Sequence, residues 1–182
     1  MIKVLTQSHL EDVVNLFNEY TVKEDLNNIV MAKRSLDDVE DILINGHMFG
    51  KFVKGKLIGI TSVMRYYPEE GLKKTHLSNK IRKEVFYKRE NISKENTAVI
   101  LGDLILKEFR GKGYFSELHS ARMDKAKSLG FTNFVAYKTV DKIEGVNDFL
   151  KAGWLIGALI KTGENKYELL LHLRKSSQGC ST

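Results

Sequence analysis

Residues 2 to 6 form a short apolar-rich run, after which Leu10, Val13, Val14 and Phe17 recur on one face at helical spacing. Ser8 and Glu11 have the spacing of a capping box, so a helix is expected from about His9 to Tyr20. Ser35 and Asp38 repeat that signal before "LDDVEDILI", and Gly46 is the expected stop. From His47, "HMFGKFVKGKLIGITSVMRYY" reads as two strands joined by a hairpin at Lys54-Gly55-Lys56. "TAVILGDLIL" is the most apolar strand candidate and "NFVAYKTV" is another. Between them a helix is expected from Gly113 to Leu129, with Tyr114, Phe115, Leu118, Ala121, Ala126 and Leu129 on one broad face and Gly130 at its end. Strand, helix and strand at this spacing make a right-handed crossover, which predicts that its two strands are parallel. A short helix from about Glu144 to Ala152 follows. "WLIGALIK" and "KYELLLHLR" then flank Gly163-Glu164-Asn165 as an antiparallel hairpin.

The fold class this order predicts is α/β, a mixed and mostly antiparallel sheet with one parallel strand-helix-strand unit. A length of 182 residues suits one domain, expected over 1–175, with 176–182 as a disordered tail. Residues 66 to 97 are expected as an elaborated loop between the third and fourth strands. They contain the sole proline, Pro68, and are rich in basic and aromatic residues, so they could wall the acceptor side of a cleft.

Hydrophobic residues make up 42% and charged residues 29%, and no apolar run approaches the ~20 residues that span a bilayer. The first dozen residues lack the apolar core of a signal peptide, so a cytoplasmic location is expected and no membrane partner. Cys180 is the only cysteine, which removes a disulfide framework and a cysteine-based metal site. The net charge of +6 admits phosphate-bearing partners, although charge alone does not make nucleic acid the expected one.

The chemistry concentrates in "LILKEFRGKGYF". A helix N-terminus presents unpaired N–H groups and the positive end of the helix dipole, and Gly111 and Gly113 would let an anion reach that backbone. Arg110 and Lys112 add positive charge beside it. The sum is a pyrophosphate cradle, although the glycine pair by itself serves equally well as a tight turn. A P-loop is excluded because Lys112 is followed by Gly113 rather than Ser or Thr. A dinucleotide fingerprint is nearly met by Gly111, Gly113 and Ser116, but the nearest acid at the end of the next strand, Asp141, lies about 28 residues beyond Gly113 rather than ~20.

The run Arg110-Gly-Lys-Gly-Tyr-Phe115 after an apolar strand resembles the acyl-CoA-binding motif of the GNAT family of N-acetyltransferases, Q/R-x-x-G-x-G/A. "FLKAGW" at 149 to 154 is similar to that family's closing helix and strand, and the element order β-α-α-β-β-β-α-β-α-β-β is also the family's. The resemblance implies acetyl-CoA as co-substrate and transfer of its acyl group to a primary amine, on a small-molecule or peptide acceptor, by direct attack in a ternary complex. It implies that the amides from Gly111 through Lys112, Gly113 and Tyr114 to Phe115 bind the diphosphate, with Arg110 beside it. The pantetheine arm would run along Leu104, Ile105 and Leu106, in the gap toward "NFVAYKTV". Two departures matter: Phe115 stands where Gly or Ala is preferred, and Phe149 stands where many members place a tyrosine that protonates the departing thiolate. A non-catalytic CoA-binding or protein-interaction module on the same fold is the alternative.

An amine of pKa ~10.4 must lose a proton before attack, and Asp103 is the carboxylate inside the strand body that could take it. Tyr137, Tyr167 and His172 lie on strands that could border a cleft, and Lys138, Asp141 and Lys142 could touch the acceptor or the adenosine. His47 and His119 have no partner at metal-ligand spacing, so no metal is expected. The terminal hairpin leaves an edge with which a second copy could pair as a homodimer.

Overall fold

The structure, a computed structural model, describes residues 1–23, 36–65, 95–139, 143–163 and 166–174. The expectations for residues 66–94, the Ser35 cap, Asp141, Lys142 and the tail at 176–182 lie outside the described residues, as do those for the side chains of Tyr167 and His172. The chain divides into two compact units, Met1–Met64 with Ile100–Leu129, and Arg65–Val99 with Gly130–Thr182.

The first unit opens with β1 (Ile2–Leu5), a single 3-10 turn at Gln7–His9, α1 (Leu10–Lys23) and α2 (Leu36–Asn45). The turn moves the cap upstream of the expected Ser8: Thr6 is extended, and its N–H donates to His9 Nδ1 at 3.2 Å. The chain thus starts to coil directly after β1, and Val13, Leu16 and Phe17 are the α1 residues that become buried, while Leu10 and Val14 are half-exposed. Gly46 ends α2 for want of space rather than for a left-handed turn. A Cβ there would sit 2.7 Å from Met64 Cγ and 2.9 Å from the Ile42 carbonyl.

β2 (His47–Val53) and β3 (Lys56–Arg65) form the expected antiparallel hairpin, and β1 pairs antiparallel with β2. β4 (Thr97–Ile105) follows β3 in the strand order, with residues 100–105 in this unit. β3 is almost wholly buried from Leu57 to Met64, as a strand covered on both faces must be. Gly59 makes the close approach to β4: its hydrogen faces Ile105 Cγ1 and the Leu104 carbonyl, each of which a Cβ would meet at 2.9 Å. α3 (Tyr114–Ser128) buries Leu118, Arg122, Met123 and Ala126. That face differs from the expected one, because Leu129 is 42% exposed and a charged residue takes a core position.

The second unit contains the start of β4, then β5 (Asn133–Thr139), α4 (Ile143–Lys151), β6 (Leu155–Gly163) and β7 (Lys166–Arg174). The Asn96 carbonyl accepts the amides of Thr132 and Asn133 at 3.0 and 3.1 Å, so β4 and β5 start side by side, as parallel strands joined by a crossover must. β6 and β7 pair antiparallel as expected, and β7 also pairs antiparallel with β5. The hairpin therefore folds back, with its second strand between β5 and β6. The core of this unit includes Phe131, Phe134, Val146, Phe149 and Trp154. The architecture is the mixed, mostly antiparallel α/β fold that the hydrophobic pattern implies.

Candidate functional site

The strand β4, its following turn and the first turns of α3 all lie in the first unit. Gly102 interrupts β4 at φ 67°, the left-handed conformation associated with bulges that redirect side chains at sites. Beyond it the backbone alternates. The Leu106 amide donates to the Ile58 carbonyl at 3.0 Å, so Leu106 and, two residues back, Leu104 turn their amides toward β3. Of the three candidates on this stretch, Ile105 is the one whose backbone faces the opposite edge. Its carbonyl accepts Arg110 Nε at 3.1 Å, and the Arg110 guanidinium also lies 5.9 Å from the Tyr20 ring.

A 3-10 turn at Lys107–Phe109 leads into the glycines. Gly111 and Gly113 both have positive φ, 72° and 78°, and a Cβ built on either would meet nothing within 4 Å. They are therefore bare for the conformation of the turn and for open space in front of it, and not for packing. Gly113 is the N-cap of α3 and offers no side chain to its amides; the first bond of the helix runs from the Glu117 amide to the Gly113 carbonyl at 3.2 Å. The amides of Tyr114, Phe115 and Ser116 precede that first bond, in the stretch where a helix begins its hydrogen-bond ladder. Arg110 and Lys112 are exposed beside them, with Lys112 Nζ 3.1 Å from the Glu108 carbonyl. Helix amides, helix dipole and two exposed cations thus lie along one turn that has open space at both glycines.

Lys51 belongs to this region although its sequence context does not single it out. Its side chain is 8% exposed, pairs with Glu117 at 2.5 Å and lies 4.6 Å from the Tyr114 ring. It offsets the one acid in the first turn of α3.

Asp103 is not presented openly to an incoming amine. Its Oδ1 accepts the Thr61 hydroxyl at 2.6 Å and forms an ion pair with Arg122 Nη1, which also donates to Thr61 Oγ1. Arg122 is fully buried. Burial pulls its pKa down from the ordinary arginine value, and the charge and hydrogen bond of Asp103 act against that pull. Its other terminal nitrogen, Nη2, lies 2.7 Å from His119 Nδ1. A guanidinium only donates, so His119 accepts at Nδ1 and carries its proton on Nε2. The His119 ring stacks on Phe115 at 5.6 Å and 23°. Phe115, the bulky departure from the motif, thus has a partner one helical turn on.

The signal for Arg122 was present in the chain: it falls four residues from both Leu118 and Ala126, on the apolar stripe of α3. Thr61 is hidden in the apolar run "IGITSVM", where nothing distinguishes it.

In the second unit, Phe149 is fully buried with its ring edge-on to Trp154 at 4.9 Å, and Lys138 Nζ lies 4.6 Å from the same ring. Phe149 is a packing residue there. Tyr137 is half-buried on β5. Among the described residues no group of three His, Cys, Asp or Glu side chains could hold a metal ion, and no helix is long and apolar enough to cross a membrane.

The fold is that of GNAT acetyltransferases. Similar solved structures include an N-acetyltransferase from Staphylococcus aureus Mu50, 14% identical with a TM-score of 0.68 over 96% of this chain and 97% of that one. Another is an acetyltransferase of the GNAT family from Streptococcus pneumoniae, 14% identical with a TM-score of 0.67 over 96% and 99% of the two chains. A third, yncA from Salmonella typhimurium, was solved with its cofactor acetyl-CoA; it is 14% identical with a TM-score of 0.67 over 96% and 92%. No protein-family model matches the sequence, and no curated protein matches it. At these identities the likeness is one of fold.

Proposed function

We propose that this protein is an acyl-CoA-dependent N-acyltransferase that transfers an acetyl group from acetyl-CoA to a primary amine, by direct attack in a ternary complex. The observation that carries the reading is the opening of α3: two left-handed glycines with open space at both Cβ positions, an N-cap without a side chain, and Arg110 and Lys112 beside it. Amides from Gly111 to Phe115 would hold the diphosphate, and the dipole of a 15-residue helix adds to their attraction. On β4 the backbone of Ile105 would pair with the pantetheine, and a strand amide donating to the thioester carbonyl would stabilise charge developing on its oxygen.

In this reading Asp103 serves orientation rather than proton transfer, because its Oδ1 is held by Arg122 and Thr61. The amine then attacks in its neutral form, with water as proton acceptor, and the thiolate of pKa ~8.5 departs without a tyrosine. A cytoplasmic setting belongs to the same reading, supported by the single cysteine.

The experiment is calorimetric titration of acetyl-CoA, CoA and NADH, followed by thiol release with a panel of amines. Binding of acetyl-CoA and CoA but not NADH, with amine-dependent thiol release, is expected; absence of acetyl-CoA binding would overturn the reading. A non-catalytic CoA-binding module is favoured by Phe149 and by the engaged Asp103. Its mark would be tight binding with no turnover by any amine.

A further inference from the structure

We propose that Arg122 is a positioning residue of the acyl-CoA site: it sets where the diphosphate cradle on α3 stands relative to the strand backbone of β4. This rests on the acyl-CoA reading above.

The turn that holds the two glycines is clamped to β4 on both sides. Ahead of it, Arg110 Nε donates to the Ile105 carbonyl at 3.1 Å. Behind it, Arg122 pairs with Asp103, two residues before Ile105, and with Thr61 on β3. From the same guanidinium Nη2 reaches His119 Nδ1 at 2.7 Å, and His119 stacks on Phe115 in the first turn of α3. One side chain therefore touches both strands and, through His119, the end of the helix where the anion would bind. Arg122 stands eight residues after Tyr114, or ~12 Å along the axis, so a small tilt of the helix at Arg122 becomes a displacement of the cradle.

Stability alone is a poor account of the pair. A fully buried ion pair is often matched or bettered by apolar residues of similar volume, so burying a guanidinium here contributes little that leucine and methionine would not. What apolar residues lack is direction. The guanidinium fork fixes angles as well as distance, which is what two halves of a binding site need when they lie on different elements.

The test compares wild type with the double variant Asp103→Leu/Arg122→Met, which removes both charges and leaves neither stranded. Thermal denaturation reports the fold, and calorimetry measures two probes: acetyl-CoA, which spans cradle and strand, and ADP, whose diphosphate engages the cradle alone. The expected result is a denaturation midpoint near that of wild type, unchanged ADP affinity, and acetyl-CoA bound about tenfold more weakly, as small misplacements of a bound geometry produce. A folded double variant that binds acetyl-CoA as wild type does would overturn the proposal. Should the double variant not fold, His119→Ala carries the test, since it leaves the ion pair intact and cuts the link to Phe115. Weaker acetyl-CoA binding with unchanged ADP binding supports the proposal, and unchanged binding of both overturns it. Failure of wild type to bind acetyl-CoA would instead sink the acyl-CoA reading, and this inference with it.

Discussion

Replacing Gly113 by alanine separates a cradle from a mere turn, provided it is set beside Gly130→Ala. Both glycines border α3, both have positive φ, 78° and 86°, and neither Cβ would meet an atom within 4 Å. In each case the added methyl group therefore costs backbone strain alone, roughly 1–2 kcal/mol for an L-residue in the left-handed region. A stiffer unfolded chain returns ~0.4–1 kcal/mol of that. The net loss is about 1 kcal/mol, which for a chain of this size lowers the denaturation midpoint by ~2–4 °C at either position. Acetyl-CoA affinity should part the two variants. At position 113 the methyl enters the open space that the proposed diphosphate would take, and losing one charge-assisted hydrogen bond there corresponds to ~10- to 100-fold weaker binding. At position 130, at the far end of the helix, affinity should stay at the wild-type value. Calorimetry on both variants decides the matter. Equal affinity in both, or an equal loss in both, would refute the reasoning and leave Gly113 as a turn residue.

Further outcomes can be checked with the same assays. Gly59→Ala brings a methyl within 2.9 Å of the Leu104 carbonyl, so β3 and β4 must part; a stability loss of ~1–3 kcal/mol is expected in chemical denaturation, with weaker acetyl-CoA binding. Phe149→Tyr places a hydroxyl in a fully buried site and should destabilise by ~1–3 kcal/mol without faster thiol release, whereas faster release would show that the missing hydroxyl limits the reaction. Burial and, secondarily, Lys125 hold the His47 pKa below its ordinary 6.5. The unfolded chain therefore binds more protons below that pH, and stability rises with pH up to about 6.5 and falls as pH drops through the folded pKa. His47→Gln should flatten that part of the pH–stability curve; an unchanged slope in thermal denaturation would assign it to another group.

Much of the fold was legible because it rests on local periodicity. The β4–α3–β5 segment, the hairpin at Lys54-Gly55 and the terminal strands all follow from spacing of apolar residues and from turn glycines, which act within a few positions along the chain. The glycine turn before α3 was legible for the same reason: it is made of consecutive residues at one helix end. The chain also announced its departures, Phe115 and Phe149, by residue type alone.

What stayed hidden depends on contacts between residues far apart in sequence. Asp103 looks like a free carboxylate until Thr61 and Arg122 close on it from another strand and a helix, 42 and 19 residues away. Gly46 reads as a helix stop, yet it is Met64 that forbids a side chain there. Leu104, Ile105 and Leu106 are alike as apolar strand residues, and only the bond from Leu106 to Ile58 shows which amides are already taken. Local sequence determined the elements and the glycine turn that opens α3, because backbone geometry and helix dipoles need only neighbours. The tertiary structure alone decided which carboxylate is engaged and what ties α3 to its neighbouring strands, because a buried charge acquires its role from whatever group is folded against it.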